Sequence, residues 1–363
     1  MPPTTVPRPS DVGADLGFSL MRQAFDAAKH AHAREFCESS YILAGMPVRM
    51  RVVGRKLAGF MDLPFAHLRI ADAQTANAGL TIELWDVSAT GVSCRIGLER
   101  DDLDLHPNLE RSADGRYASH QLKDSMVCLD RVSGSMVGSV LNADELSLYE
   151  RGRPLHVPLS LWHKSQQMPL VHAGLVSKNE RGVLLGGSGG SGKSTAAVLC
   201  AQAGFDYLSD DLFALELCSD RTFVGHSLYN STFMEPDHLK CFGQLEQHAI
   251  RGRYSFEKKH LVLLALVASL RFAPSCRIHS IVLPRVANRP NSVLGRASKG
   301  ETLMALAPSS LLVGERSAGM QGFEKLAVLV EQVPCYRLEL GGALEEIPRV
   351  LENLLAKAAV VEN

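Results

Sequence analysis

The run Gly186-Gly187-Ser188-Gly189-Gly190-Ser191-Gly192-Lys193-Ser194-Thr195 follows apolar Val183, Leu184 and Leu185 and completes the pattern GxxxxGKS. The chemistry these residue types can do is to grip phosphate. A short loop wrapped round an anion requires positive φ and close backbone approach. Gly187, Gly189, Gly190 and Gly192 permit both, so that successive N–H groups converge inward. Lys193 supplies a mobile point charge for the β and γ phosphates, and the Ser194 hydroxyl is a ligand for Mg²⁺. Ser188, Ser191 and Thr195 complete the nucleotide-contacting stretch. A flexible Gly/Ser linker has a similar composition but does not normally sit between a strand and a helix.

Asp210 and Asp211 form the second chemical element. They follow the strand after the loop helix, where a carboxylate can meet a metal held by Ser194. One of them can hold Mg²⁺ while the other accepts a proton from an attacking hydroxyl. The sequence does not order the two roles, and the bland alternative is a pair that caps a turn. His172 is the third element. A His on an apolar strand is by itself an ordinary core residue. Here its strand is expected to pair with the strand that ends in the loop, which brings the imidazole toward the loop mouth. A transferring phosphoryl group also needs cations around it. Arg285, after the end of an expected strand, is the candidate phosphate clamp, with a surface arginine as the alternative. Arg251, Arg253, Lys258 and Lys259 read as a solvated face. Tyr229-Asn230-Ser231-Thr232 reads as a turn that could touch acceptor or nucleotide.

The elements that must position these groups alternate strand and helix, as in an α/β layer fold. Residues 170–177 read as a strand, 178–182 as a turn and 183–185 as the strand feeding the loop, which together make a hairpin. Residues 193–203 form a helix with Ala196, Leu199, Cys200 and Ala203 on a shared face, and Gly204 suits the position just past its end. A strand precedes Ser209, and residues 212–217 continue extended. A buried helix near 261–270, a strand at 278–283 and helices near 302–307 and 322–330 follow. The last segment places Ile347, Val350, Leu351, Leu354 and Leu355 on one helical face, with Pro348 tolerable in the first turn.

Before residue 155 the pattern differs. Residues 1–15 read as a disordered tail without the apolar core of a signal peptide. A helix at 16–37 and strands at 47–53, 80–85, 92–96 and 145–151 follow, and Pro154 and Pro158 mark a connection. This predicts an α+β domain over residues 16–155 and a catalytic domain over 156–363. His67, His106 and His120 lack metal-ligand spacing, and the acidic stretch 99–104 reads as a solvated loop. With no catalytic group in it, the first domain is expected to recognise an acceptor or partner.

Composition narrows the classes. A chain of 363 residues, 46% hydrophobic and 21% charged, is long enough for two domains with cores of their own. A net charge of −1 gives no electrostatic reason to expect nucleic acid or a membrane surface as partner. The longest apolar run, residues 261–270, is too short to span a bilayer. Eight cysteines without a CxxC pair suggest neither a zinc site nor a disulfide framework, which fits a reducing cytoplasm.

Taken together, His172-Ala173-Gly174, Gly182-Val183-Leu184-Leu185, the loop from Gly187 to Ser194 and Asp210-Asp211 after Gly204 resemble the C-terminal catalytic domain of HPr kinase/phosphorylase. That family is related in fold to ATP-dependent phosphoenolpyruvate carboxykinase and includes kinases that phosphorylate Ser in peptides. The resemblance spans about residues 168–290. It implies a nucleotide loop at 187–194, Lys193 as the phosphate lysine, Ser194 and Asp211 as Mg²⁺ contacts, Asp210 as general base, and His172 as support for the base and phosphate. The chain departs from the family in two ways. It lacks the acidic-and-basic loop motif of the bifunctional enzyme after the paired Asp residues, and its first part does not resemble that enzyme's N-terminal domain. Neither phosphorylase activity nor HPr as substrate is therefore expected.

The expectation is a cytoplasmic kinase that uses ATP and Mg²⁺ to phosphorylate a hydroxyl, foremost a Ser of a peptide or protein. A switch that hydrolyses ATP or GTP, a small-molecule kinase and a non-enzymatic nucleotide-binding protein are the alternatives. No NKxD guanine-reading motif and no LSGGQ-type transporter signature supports the first of these. Nothing in the sequence sets the oligomeric state.

Overall fold

The computed structural model describes residues 14–71, 78–94, 108–287, 289–311 and 316–361. The tail at 1–13, His106, the acidic stretch 99–104 and the end of the strand expected at 92–96 lie outside these residues. The chain divides into two compact units, one of Met1–Phe65 with Arg69–Ser165 and the other of Ala66–Leu68 with Gln166–Asn363. The division falls after Ser165 rather than after residue 155, because the helix that follows Pro154 packs on strands of the first unit.

The first unit opens on helix α1 (Ala14–Ala31), then strands β1 (Phe36–Leu43) and β2 (Met46–Val53), helix α2 (Arg55–Asp62) and strands β3 (Arg69–Ile70) and β4 (Leu80–Asp86). Helix α3 (Val87–Thr90) and strands β5 (Asn108–Arg111), β6 (Tyr117–Gln121), β7 (Ser125–Asp130) and β8 (Ser135–Val140) follow. Helices α4 (Leu148–Gly152) and α5 (His156–Ser165) complete it. Its strands form one mixed sheet in the order β3-β1-β2-β4-β8-β7-β6-β5. Met21, Phe25 and Ala28 recur on one face of α1 and are buried against Val53, Trp85 and Val137 of that sheet.

Two expectations change here. Helix α1 stops at Ala31, because residues 36–43 alternate side chains along a strand that pairs over its full length with β2. Residues 145–151 are not a strand. Ser147 caps α4 and forms a reciprocal capping box with Glu150, which fixes a helix start there.

The second unit begins with strands β9 (Leu170–His172), β10 (Gly174–Lys178) and β11 (Arg181–Leu185), then helix α6 (Lys193–Gln202). Strands β12 (Asp206–Ser209), β13 (Leu212–Leu217), β14 (Phe223–His226) and β15 (Ser231–Met234) come next. Helices α7 (Pro236–Leu239) and α8 (Gly243–Glu246) precede strands β16 (Ala249–Ile250), β17 (His260–Leu263) and β18 (Arg271–Phe272). The long strand β19 (Ser275–Val286), strand β20 (Val293–Arg296), helices α9 (Lys299–Leu311) and α10 (Arg316–Gln332), strand β21 (Cys335–Leu340) and helix α11 (Glu346–Val361) end the chain.

Strand β11 is the axis of this unit. It forms a hairpin with β10 through Asn179 and Glu180, both at positive φ, and pairs in parallel with β19 on its other edge. Val183 and Leu185 are buried in one core with Ala196, Cys200, Leu351 and Leu354 of helices α6 and α11. Leu184 is buried in the opposite core with Leu306, Leu326 and Leu329 of α9 and α10. Burial on both faces is why this strand reads as an unbroken apolar run. The sheet thus carries helices on both faces, in keeping with an α/β fold.

Two further readings are corrected. Residues 170–177 do not form one strand, since Ala173 interrupts them and sends β9 to pair with β13 while β10 pairs with β11 and β12. Residues 261–270 are not a helix. The first of them form β17, the central strand of a three-stranded sheet with β15 and β16, and a single 3-10 turn follows. An apolar run of that length fits either element by periodicity alone.

Leu351 on α11 is fully buried beneath α6. Leu351→Ala is expected to destabilise the second unit by about 2–5 kcal/mol, the ordinary range for a truncated core leucine. Urea unfolding followed by circular dichroism checks this.

Candidate functional site

The glycine-rich loop begins where β11 ends. The Gly186 N–H donates to Val282 O at 2.9 Å, so the loop leaves the sheet still tied to β19. Gly187 has φ 142°, and a Cβ there would lie 2.7 Å from Ser191 Oγ across the loop. Gly192 has φ 102°, and a Cβ there would lie 2.4 Å from Leu340 Cδ1. At both positions the backbone conformation demands glycine, while the atoms a Cβ would meet are side-chain ends that can give way. Positive φ falls at Gly187, Gly190 and Gly192 but not at Gly189, whose open surroundings impose no such demand. Ser188, Gly189 and Gly190 form an exposed tip. Ser191 Oγ is buried without a hydrogen-bond partner among the described residues, a donor that an anion in the loop would satisfy. Ser194 and Thr195 stand in the first turn of α6, whose N-terminal N–H groups open toward the loop.

Lys193 lies inside the loop it follows. Its Nζ donates to Gly187 O at 2.7 Å and to Ser188 O at 3.1 Å, and the residue is 7% exposed. Burial lowers its pKa below the ordinary lysine value, and the nearby carboxylates of Asp211 and Asp210 partly oppose that. The charge of Lys259 also reaches Lys193 and favours loss of its proton. Lys259 itself is exposed, as its reading on a solvated face expects.

The two carboxylates occupy unlike environments. Asp210 is 3% exposed and accepts a 2.6 Å hydrogen bond from Thr232 Oγ1 at Oδ2. Tyr207 Oη stands 3.1 Å from Asp210 Oδ1 and 3.3 Å from Ser231 O. Asp211 is half-buried, with its Oδ1 2.7 Å from His172 Nε2. Its backbone N–H donates to Ser209 Oγ at 3.0 Å, and that hydroxyl donates to Leu212 O at 2.9 Å, which fixes the bend between β12 and β13. One carboxylate is thus clamped inward by hydroxyls and the other is held at the surface by an imidazole.

His172 arrives by a route different from the expected one. It does not pair with the strand that ends in the loop. It pairs with Leu212, the first residue of β13, and this register sets it beside Asp211. Arg285 is also placed differently from expectation. Ile281 and Leu283 face α9 and α10 while Val282 faces α6, so alternation along β19 turns Arg285 away from the loop helix. It is exposed, and its charge acts on Glu301, which Arg337 binds through two 2.9 Å contacts.

Tyr207 is a site residue that the sequence does not single out, and Thr232, expected in a turn that could touch acceptor or nucleotide, instead binds Asp210. Thr232 stood within the expected turn at 229–232, but it lies on β15, and only the three-dimensional fold brings it to Asp210. Of the histidines of the first part, desolvation pushes His67 down to about 3 and His120 down to about 4, which holds both neutral.

No group of three or more His, Cys, Asp or Glu fit to hold a metal occurs among the described residues. The donors around the loop still fit Mg²⁺, an ion that takes one or two carboxylates and completes its shell with phosphate oxygens and water. Ser194 offers a hydroxyl at the start of α6, and the Asp211 carboxylate is close enough to act on Lys193.

The clamp on Asp210 can be tested without assuming any activity. Thr232→Val is expected to cost about 1–3 kcal/mol in urea unfolding, because it removes a donor from a buried carboxylate. In an Asp210→Ala background the same change should cost clearly less. Equal costs in both backgrounds would mean that the two side chains are not coupled.

No family model matches this chain, and no curated protein matches it. Among solved structures, it is similar to the Hpr(Ser) kinase/phosphatase from Coxiella burnetii, with 11% identity over 53% of this chain and 97% of that one and a TM-score of 0.28. At that TM-score the likeness carries no weight, and the functional reading rests on the residues of the site.

Proposed function

We propose that this protein is a kinase that transfers the γ-phosphoryl group of ATP, with Mg²⁺, to a hydroxyl group, foremost that of a Ser in a peptide or protein. The observation that carries the reading is the meeting of a desolvated lysine, Lys193, with two carboxylates in unlike surroundings at one end of the sheet. A nucleotide-binding switch needs one acidic group beside its metal. A second carboxylate gives the acceptor proton a place to go.

In the proposed reaction the acceptor oxygen forms a bond to the γ phosphorus, the bond from that phosphorus to the bridging β–γ oxygen breaks, and ADP leaves. The acceptor proton passes to Asp210. Thr232 holds one oxygen of that carboxylate in place, and each carboxylate oxygen has capacity for a further bond. Lys193 and the loop N–H groups offset charge on the phosphate oxygens. Ser194 and Asp211 would hold Mg²⁺, which neutralises phosphate charge when bound. His172 keeps Asp211 oriented.

The test is transfer of labelled γ-phosphate from ATP with Mg²⁺ in a lysate of the source cell. Asp210→Asn is expected to lower transfer by about 10²–10⁴-fold with nucleotide affinity close to that of the parent. Asp211→Asn should chiefly raise the Mg²⁺ requirement. The opposite ranking assigns the proton to Asp211, the more exposed of the pair. Release of free phosphate without any labelled acceptor favours a hydrolytic switch, and a labelled small molecule identifies a different acceptor class.

A pH prediction follows from Lys193. The charged lysine favours ATP, and burial lowers the pH at which the charge is lost. ATP affinity should therefore fall as pH rises through a value below that of an ordinary lysine. In the nucleotide-free protein the sign reverses. The unfolded chain binds this proton more tightly than the folded one, so Lys193 makes stability rise with pH across the same window. Lys193→Met should remove both dependences, read by calorimetry for ATP and by thermal unfolding for the free protein.

A further inference from the structure

A cleft of about 910 Å³ opens in the second unit between the start of β19, β20, the C-terminal end of α10 and one side of α11. It is separate from the glycine-rich loop. Arg277, which lines it, pairs with Arg181 at the beginning of β11, whereas the loop leaves from the other end of that strand. At about 3.3 Å per residue, the strand between them spans roughly 15 Å.

The lining has two chemistries. Ile278, Leu294, Val333 and Leu354 supply an apolar floor. Arg221, Arg277, Arg296 and Lys357 supply four cations, against one lining carboxylate, Asp220. That carboxylate accepts from Thr222 N at 2.9 Å and Thr222 Oγ1 at 2.7 Å, and its charge offsets part of that of Arg277, so the lining keeps a net positive charge. The Arg296 guanidinium lies 4.7 Å over the ring of Tyr336, another lining residue, which holds it in place with donors left to offer. Like charges gathered round one cleft repel one another, and an anion between them removes that cost. The size is within the range of small-molecule sites.

We propose that this cleft binds a small phosphate monoester with an apolar or aromatic body. The phosphate, carrying about −1.5 to −2 charges at neutral pH, matches a cluster of several cations better than a single carboxylate does. The body lies on the apolar floor. The site is independent of the reaction assigned above and uses none of its residues.

The probe is 1-naphthyl phosphate, titrated calorimetrically into the full chain with the glycine-rich loop disabled by Lys193→Ala. Saturable binding to one site is expected, with inorganic phosphate and 1-naphthol each at least tenfold weaker. Arg277→Gln with Arg296→Gln should weaken binding at least tenfold. Asn353→Trp, an exposed change on α11 that fills the cleft, should abolish it while the thermal midpoint stays near that of the parent. The proposal is overturned by absence of saturable binding, by 1-naphthol binding equally well, or by binding that survives Asn353→Trp and the paired arginine changes. Binding seen only when Lys193 is intact would assign the probe to the loop and overturn it as well.

Discussion

Burial of strand β11 on both faces is the constraint from which the site follows. Val183 and Leu185 are locked into the core beneath α6 and α11, and Leu184 into the core beneath α9 and α10. A strand held this way has no freedom to slip, because a shift of one residue would exchange the two sets of side chains. The loop therefore leaves the sheet at a fixed point, and the Gly186 bond to Val282 extends that fixity one residue further. Helix α6 returns across the same core, so the loop between strand and helix has both ends anchored.

Placement of charge depends on that frame. A lysine at 7% exposure carries a desolvation cost, which two backbone carbonyls and two neighbouring carboxylates offset only in part. The carboxylates are adjacent in sequence, and the bend that joins β12 to β13 through them sends the two to different surroundings. One side is the buried space in front of β15, where the Thr232 hydroxyl waits, and the other is the surface beside β9, where His172 waits. Two carboxylates adjacent in a bend thus take different character from the partners each one meets. Like-charge repulsion between them is relieved because each has its own donor and the charge of Lys193 acts on both.

What could be read from the sequence was what local spacing encodes. The strand, loop and helix around residues 183–203 lie where glycine placement and apolar pattern put them, and the turn residues Asn179 and Glu180 bend the hairpin as expected. Helix α4 is legible too, since Ser147 and Glu150 have capping-box spacing, although the residues around it also alternate. The remainder depends on pairing between distant segments. No local signal says that β9 turns to β13 at Ala173, that β15 carries Thr232 to Asp210, or on which face of β19 Arg285 falls. Alternation gives two choices for a strand residue, and only the packed sheet says which choice faces the loop.

Helix α11 joins the two ends of the second unit in one packing problem. On one side Leu351 and Leu354 press against the core of α6, the helix that begins at Lys193. On another, Val350, Asn353 and Lys357 line the cationic cleft. Side chains three and four residues apart share a helix face, so the two sets are adjacent stripes on one rigid element. Close-packed cores transmit displacement because they have little free volume to absorb it. Helix α11 therefore ties the wall of the cleft to the core beneath α6 within one unit.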